Sequence, residues 1–338
     1  MKEPFGHLPD GSLANLYTIQ AGDVIAKLTD YGAALVSLVI PDKNGKTSDV
    51  VLGFDCVEDY CAQTAYIGAT VGRNANRIGG SSFVLNGKTY HLTPNEKSNN
   101  LHSGPSGYNS RLWQVTSHTD TSITFRLDSP SGDQGFPGNA RIQVCYSVDT
   151  EGGLTISYEA SADQDTVFNL TNHSYFNLAG QQHPNAALSQ TLSMPGRHFC
   201  PDDAQNIPTG ALVSVEGTPM DFRQPKPIGR DIHADYEPLK LQGGYDHNWE
   251  AFGSPCAILR EETSGRTMSV STDMPGIQFY AGNFLDCTGK GGIHYGKNAG
   301  IALETQFYPD ALHHPEWKQP VTKAGEVYRS KTVYRFDW

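Results

Sequence analysis

The sequence predicts an all-β protein, a large antiparallel β-sandwich with few short helices. Apolar and polar residues alternate with a period of two in many short segments, which is the pattern of half-buried strands. The 35 glycines and 20 prolines punctuate the chain at close intervals. No long segment has the hydrophobic period of an amphipathic helix. The three observations together favour many short strands joined by turns.

The strand signals begin early in the chain, with DVIAKLTDYGAALVSLVIP at 23–41. One short helix is predicted around CVEDYCAQ at 56–63. Three alternating segments then follow in succession: SITFRL at 122–127, RIQVCYSV at 141–148 and LTISYEA at 154–160. Strands that follow one another in this way, without an intervening helix, predict an antiparallel meander rather than a βαβ unit.

The connections between these segments are of two kinds. DTEGG at 149–153 is typical of a hairpin turn. DSPSGDQGFPGNA at 128–140 is longer, which favours a functional loop. Further strands are predicted within 268–284, within 331–338 and at IALETQFYPD, 301–310. The last of these places Glu304 at the centre of a strand, where a carboxylate faces either solvent or a cleft.

The length of 338 residues is compatible with two domains, but all-β folds of this size often form one. The chain has no linker, internal repeat or low-complexity tract. A chain of this length buries roughly three-quarters of its unfolded surface. We therefore predict a single domain over residues 1–338.

The charge balance indicates which classes of binding partner are disfavoured. Asp and Glu number 36 against 25 Lys and Arg, a formal net charge of −11. This balance argues against nucleic acid or an anionic membrane as a partner. The N-terminus lacks the apolar core of a signal peptide, and no apolar run reaches transmembrane length. The six cysteines include no C-x-x-C, so free thiols and a cytoplasmic location are expected.

Several common catalytic motifs are absent. Neither GKT has the upstream glycine of a P-loop, and no G-x-S-x-G or correctly spaced G-x-G-x-x-G is present. His313 and His314 are adjacent and point in opposite directions on an extended chain, which disfavours a metal site. We predict no metal and no cofactor.

Polar side chains concentrate in VFNLTNHSYFNLAG, 167–180. On one continuous strand they would share a face opposite the apolar residues: Asn169, Thr171, His173, Tyr175 and Asn177. A histidine in a row of hydrogen-bonding groups is typical of a concave binding surface, although a surface strand has the same pattern.

Three further polar clusters lie in glycine-rich or apolar surroundings: VGRNANRIGG at 71–80, NNLHSGPSGYNSRLW at 99–113 and GGYDHNWE at 243–250. Each alone is typical of a turn or loop. Combined with Gln278, Glu304 and Gln306, they supply groups that hydrogen-bond to hydroxyls, with aromatic rings nearby to cover sugar faces. The combination indicates a carbohydrate site.

The sequence closely resembles the aldose 1-epimerases, also called galactose mutarotases. The resemblance is carried by seven motifs in order: GATVGRNANRI, NNLHSG, GDQGFPGN, LTNHSYFNL, GYDHNW, IQFYAGNF and ALETQFYPDALHHPEW. It extends from LPDGSLANLYTI at 8–19 to YRSKTVYRF at 328–336, nearly the whole chain. One departure is Ser103 in LHSG, where the family usually has LHGG; it puts the geometry of the loop after His102 in doubt.

The resemblance implies a galactose mutarotase-like supersandwich whose open cleft binds a free monosaccharide without metal or cofactor. It implies that Glu304 is the general base and His173 the general acid in the interconversion of the α- and β-anomers of galactose and glucose. The implied sugar contacts are Asn76, Arg77, His102, Tyr175, Asp246 and Gln278. A monomer or weak homodimer is expected.

The chemistry needs one base and one acid on either side of the C1–O5 unit, so that ring opening avoids a free alkoxide. An ionised Glu304 and a histidinium that titrates near neutrality are expected to fill these roles. The alternatives are a hexose-6-phosphate 1-epimerase, a non-catalytic sugar-binding protein, and a glycosidase using Asp246 and Glu304. The acidic balance and the presence of both catalytic candidates favour free-sugar epimerisation.

Overall fold

The computed structural model describes residues 1–338, and strands make up most of its regular structure. The strands in chain order are β1 Lys2–His7, β2 Leu13–Ala21, β3 Val24–Thr29, β4 Ala34–Ile40, β5 Ser48–Asp49, β6 Thr70–Val71, β7 Arg77–Ile78, β8 Ser82–Leu85, β9 Lys88–His91, β10 Asn100–Leu101, β11 Gln114–His118, β12 Ser122–Ser129, β13 Ala140–Val148, β14 Gly153–Ala162, β15 Thr166–Val167, β16 Thr171–Asn172, β17 Tyr175–Phe176, β18 Thr191–Ser193, β19 His198–Cys200, β20 Val213–Ser214, β21 Lys226–Pro227, β22 Asp246–Glu250, β23 Ala257–Arg260, β24 Thr267–Thr272, β25 Gly276–Tyr280, β26 Cys287–Thr288, β27 His294–Tyr295, β28 Ile301–Gln306, β29 Val321–Thr322 and β30 Val327–Asp337.

Helices are few and short. The α-helices are α1 Val57–Ala62 and α2 Glu237–Gln242. Short 3₁₀ helices occur at Gly79–Ser81, Tyr108–Ser110, Asp133–Gly135, Pro184–Ser189, Ile228–Arg230, Lys290–Gly292 and Ala311–His313. None of these helices has the length and apolar composition required to cross a bilayer. The predicted all-β class and the predicted helix near 56–63 are confirmed.

Three sheets form the body of the molecule. A five-stranded sheet has the order β1-β2-β3-β4-β5. A nine-stranded sheet has the order β11-β12-β13-β14-β30-β24-β23-β18-β21, and a six-stranded sheet the order β17-β28-β25-β22-β19-β20. All their strand pairs are antiparallel, and β12, β13 and β14 are consecutive neighbours. The predicted meander is therefore confirmed.

The sheets pack face to face as a sandwich. A cluster of 58 buried residues contains side chains from all three sheets, among them Ile19, Val144 and Phe279. Hydrogen bonds also join the layers directly: Tyr334 Oη on β30 donates to the Leu303 carbonyl on β28 at 3.0 Å. Because β28 has the core on one face and other side chains on the opposite face, every residue of Ile301–Gln306 is buried.

The segment 167–180 differs from its prediction. Three two-residue strands, β15, β16 and β17, cover parts of it instead of one continuous strand. These strands pair with three different partners, β29, β6 and β28, so the chain changes direction between them. The apolar residues Leu170, Phe176 and Leu178 still enter the main core. The predicted burial of the apolar side chains in the core is confirmed, but the prediction of one continuous strand is wrong.

Candidate active site

Neighbouring strands of the six-stranded sheet place four of the predicted site residues on one face. Gln278 on β25 lies directly opposite Glu304 on β28, and Tyr175 on β17 lies opposite Ala302, two residues from Glu304. Asp246 on β22 pairs with Tyr280, which is two residues from Gln278. Since side chains two residues apart share a face, all four point to the same side of the sheet.

Two loops supply the opposite wall. The His102 backbone N–H donates to the Asn76 carbonyl at 3.0 Å, and the Asn76 N–H donates back to His102 Nδ1 at 3.1 Å. Both residues have left-handed backbone, with φ of 60° at Asn76 and 52° at His102. Strand β7 begins at Arg77 and pairs with β10, which fixes the loops side by side. This reciprocal contact sets the position of the His102 ring.

The two walls enclose a cavity of about 300 Å³. Its lining residues are Thr64, Ala65, Tyr66, Asn76, Arg77, Glu96, Leu101, His102, His173, Tyr175, Asn206, Asp246, Tyr280, Phe284 and Glu304. Seven of the eight predicted site residues are in this set, although they come from five separate parts of the chain. Polar groups gathered in one concave site are the arrangement expected of a small-molecule pocket.

Gln278 is the predicted contact that does not line the cavity. Its Nε2 donates to Asp246 Oδ1 at 2.8 Å, and its Oε1 accepts from Asn248 Nδ2 at 3.3 Å. Gln278 therefore orients the Asp246 carboxylate from behind. A direct contact between Gln278 and a sugar remains a prediction.

His173 and Glu304 face each other across the cavity floor. His173 Nε2 lies 3.6 Å from Glu304 Oε1, and both side chains are almost fully buried. Neither His173 Nδ1 nor Glu304 Oε2 has a hydrogen-bond partner within the protein. Buried polar atoms are nearly always hydrogen-bonded, so unpaired ones at a cavity wall mark positions for ligand groups.

Burial and charge shift the pKa values of this pair in opposite directions. Burial, reinforced by the charge of Asp246 and only partly opposed by Arg77, raises the pKa of Glu304 well above its usual range. Burial lowers the pKa of His173 to about 4. The expectation of a histidinium titrating near neutrality is therefore wrong for the sugar-free site. When the pair holds a single proton before sugar binds, the opposite pKa shifts place that proton on Glu304 rather than on His173.

His102 is held neutral. Burial lowers its pKa well below the usual range, and repulsion from a protonated His173 and from Arg77 adds to the effect. Because its Nδ1 accepts the Asn76 N–H, the ring proton lies on Nε2, which becomes a hydrogen-bond donor. Ligand atoms of His102, His173 and Glu304 lie within 4.8 Å of one another, as in some metal sites. A protonated Nε2 cannot coordinate a metal, so this donor set fits hydroxyl groups better.

Comparison with known proteins gives the same family as the sequence motifs. The family model for aldose 1-epimerase matches residues 15–335. Galactose mutarotase from Bos taurus is 40% identical over 341 residues, covering 98% of this chain and 97% of that protein. Aldose 1-epimerase from Escherichia coli K12 is 39% identical over 338 residues, covering 97% and 96%. The chain belongs to the aldose 1-epimerase family.

The fold comparison agrees. The crystal structure of an aldose epimerase homologue from C. elegans superposes with a TM-score of 0.87 at 35% identity. The superposition covers 96% of this chain and 99% of that one. The family resemblance and the predicted mutarotase-like sandwich are thereby confirmed.

Ser103, the residue that departs from the family motif, keeps the loop closed. Its backbone has φ of 69°, a conformation usually taken by glycine. Its hydroxyl accepts from the Asn74 N–H at 2.7 Å and donates to the Asn74 carbonyl at 3.1 Å. These bonds offset the backbone strain and tie the loop after His102 to the segment before Asn76. In this aldose epimerase the substitution therefore reinforces the contact between the two loops.

Sequence reasoning missed several cavity residues. Tyr66 stacks on His173 with ring centroids 5.9 Å apart, and its ring lies 4.5 Å from that of His102. Tyr280 accepts the Phe284 N–H through Oη at 3.0 Å, which places the exposed Phe284 ring at the cavity mouth. Glu96 pairs with Arg77. Tyr280 and Phe284 lie in the IQFYAGNF motif and could have been found there, whereas Glu96 lies in a loop with no such signal.

None of the residues of the 128–140 loop lines this cavity, so a functional role for the loop stays a prediction. Its carbonyls instead accept hydrogen bonds from Arg73, which is fully buried away from the site. These contacts give Arg73 a structural role.

The pKa values predict the pH profile of the enzyme. As pH falls through about 4, His173 takes up a proton while Glu304 is already protonated, so the base is lost and kcat/KM falls. As pH rises through the raised pKa of Glu304, the pair loses its single proton and kcat/KM falls again. We expect the acid midpoint near pH 4, not near the ordinary histidine value of about 6.5.

The measurement is kcat/KM for anomer exchange between about pH 3 and pH 9, with the uncatalysed rate subtracted at each pH. Samples returned to pH 7 control for denaturation. An acid midpoint near 6.5 would contradict the burial argument.

Proposed function

We propose that this chain interconverts the α- and β-anomers of free hexoses, galactose and glucose, with Glu304 and His173 as the proton-transferring pair. An aldose 1-epimerase is an isomerase, and relatives about 40% identical over the full length carry that activity in their names. The observation that best supports the proposed residues is the 3.6 Å approach of His173 Nε2 to Glu304 Oε1 at the cavity floor.

Ring opening moves two protons. The C1 hydroxyl gives its proton to the Glu304 carboxylate while His173 protonates the ring oxygen, and the C1–O5 bond breaks to an aldehyde. After rotation about C1–C2, both transfers reverse and the ring closes on the other carbonyl face. The pair therefore ends each turnover in its starting protonation state.

The buried Glu304–His173 pair assists ring opening. Sugar hydroxyls that donate to Glu304 stabilise its ionised form, so sugar binding shifts the shared proton to His173. Opening then returns the pair to two neutral groups, the state that burial favours. Because the two proton transfers are concerted, ring opening avoids a free alkoxide.

The remaining lining residues hold the sugar. Burial raises the pKa of Asp246, against the opposing effects of Arg77 and the Gln278 hydrogen bond, and its carboxyl can bind hydroxyls in either protonation state. His102 Nε2 and the Asn76 amide add neutral donors. Tyr175 is fixed by a 3.0 Å hydrogen bond from Oη to the Ala65 carbonyl, so its ring forms a rigid wall.

The test is polarimetry with freshly dissolved α-D-galactose and α-D-glucose, followed by NMR anomer exchange with galactose 6-phosphate at the same ionic strength. We expect both free sugars to be turned over, with kcat/KM at least about tenfold above that for the phosphate. Arg77 is the only lysine or arginine among the lining residues, against three carboxyl groups. A preference for the phosphate would favour the hexose-6-phosphate epimerase, and no acceleration with any sugar would favour a binding protein.

The same proposal treats residues 1–338 as one domain and places it in the cytoplasm, with a monosaccharide as its partner and no metal or cofactor. The shared core of the three sheets supports one domain, and six free cysteines fit a reducing compartment. A monomer or weak homodimer that binds neither nucleic acid nor membrane remains part of this proposal.

A further inference from the structure

One ion pair in the cavity wall has no role in the chemistry described above. Arg77 Nε donates to Glu96 Oε2 at 2.5 Å, and Arg77 Nη2 donates to Glu96 Oε1 at 2.8 Å. This two-point geometry is the strongest form of guanidinium–carboxylate contact. Both residues line the cavity, and their side chains are 9% and 26% exposed.

The loop that carries Glu96 is anchored. Glu96 and Asn99 exchange backbone hydrogen bonds of 3.2 and 2.9 Å. The Asn99 side chain accepts from the Gly80 N–H at 3.0 Å and donates to the Gln205 carbonyl at 3.1 Å. Glu96 is therefore held in place independently of any ligand, and it holds Arg77 in turn.

The ion pair with Glu96 limits the hydrogen-bond donors and the positive charge that Arg77 presents to a ligand. With Nε and Nη2 directed to Glu96, the Nη1 amino group has no hydrogen-bond partner within the protein. Burial alone would lower the pKa of Arg77, but the bonds to Glu96 and the charges of Asp246, Glu96 and Asp202 raise it. Arg77 thus stays charged and oriented, while its positive charge is neutralised by the adjacent carboxylate.

The cavity then contains no uncompensated cation. Its remaining acidic groups are Asp246 and Glu304. His102 is neutral, and a proton that moves to His173 is balanced by the ionised Glu304 at 3.6 Å. An anionic substituent on a sugar would lose its hydration shell and meet no free positive charge. A neutral hydroxyl can still accept from Arg77 Nη1.

We propose that Glu96 is a specificity-determining residue that excludes anionic sugars, uronates and sugar phosphates, by neutralising Arg77. This inference rests on the proposed function, since it concerns the same site. Glu96 also acts as a positioning residue, because it aims the free N–H groups of Arg77 into the cavity.

The test compares the binding of D-galactose and D-galacturonate by calorimetry at pH 7 and one ionic strength. The two sugars differ only at C6, where galacturonate carries a carboxylate. The proteins are the wild type, Glu96→Gln, Glu96→Ala and the matched control Asp221→Asn. In the control pair, Arg223 contacts Asp221 through the same Nε and Nη2 atoms, at 2.9 and 2.7 Å, away from the cavity.

We expect the wild type to bind galactose at least about tenfold more tightly than galacturonate. Each Glu96 variant should narrow this ratio by about tenfold or more, because a freed guanidinium binds carboxylate well. Asp221→Asn, which makes the same change in net charge, should leave the ratio unchanged. Because both affinities are measured with the same protein, a general loss of stability does not change their ratio.

An unchanged ratio of galactose to galacturonate affinity in a folded Glu96 variant would overturn the inference. Failure of both Glu96 variants to fold would also overturn it, because Glu96 would then be a residue required for stability. Binding does not require turnover. A wild type that binds galactose without accelerating anomer exchange therefore refutes the proposed activity alone, and one that binds neither sugar refutes both.

Discussion

Glu304→Gln is expected to lower kcat for galactose anomer exchange by about 10²-fold to 10⁴-fold, the usual contribution of a positioned base. The amide has nearly the same shape as the carboxyl but cannot accept the C1 hydroxyl proton. The galactose Kd should change little, since the proposed hydroxyl contacts, Asp246, His102 and Arg77, are left unchanged. The measurement is polarimetric kcat together with calorimetric Kd.

Glu159→Gln is a suitable control for this variant. Glu159 lies on β14 with half of its side chain exposed, in an ion pair with Arg329. Its replacement by glutamine makes the same chemical change outside the cavity, and we expect wild-type rates. Near-normal turnover in Glu304→Gln would remove Glu304 from the mechanism.

Arg73→Lys is expected to lower the free energy of unfolding by about 3–5 kcal/mol, because several buried acceptors lose their donors at a cost of about 1–3 kcal/mol each. The Arg73 guanidinium is fully buried. Its hydrogen-bond acceptors are the carbonyls of Pro137, Gly138 and Ser129, and the hydroxyls of Ser129, Thr166 and Tyr108. A lysine has three donors on one atom, so it leaves several of these acceptors unpaired and buried.

Urea unfolding at pH 7 measures this loss, with Arg329→Lys as the exposed control; the Arg329 side chain is 66% exposed. We expect the control to change stability by less than about 0.5 kcal/mol. A loss below about 1 kcal/mol in Arg73→Lys would show that the network contributes little net stability. Arg73 is thus a structural arginine, whereas Arg77, four residues later in the chain, lines the site.

The sequence motifs identified the candidate site because the chemistry needs particular side chains. Seven predicted residues, including Glu304, His173 and Arg77, line one cavity. Their roles remain predictions until the variants are measured. Glu96 was not predicted because a glutamate in a polar loop has no local signal; only the approach of β10 to β7 places it against Arg77.

The sequence by itself determined the fold class, since alternation with a period of two is a local property that each strand carries. It also determined the identity of the acid and base candidates, through motifs that are read locally. The tertiary structure alone decided that Gln278 lies behind Asp246 and that 167–180 is broken into three short strands. It also decided that the proton shared by His173 and Glu304 begins on the glutamate. The reason is physical: burial and Coulomb interactions sum over residues such as 77, 246 and 304, which are distant in sequence and meet only when the sheets pack.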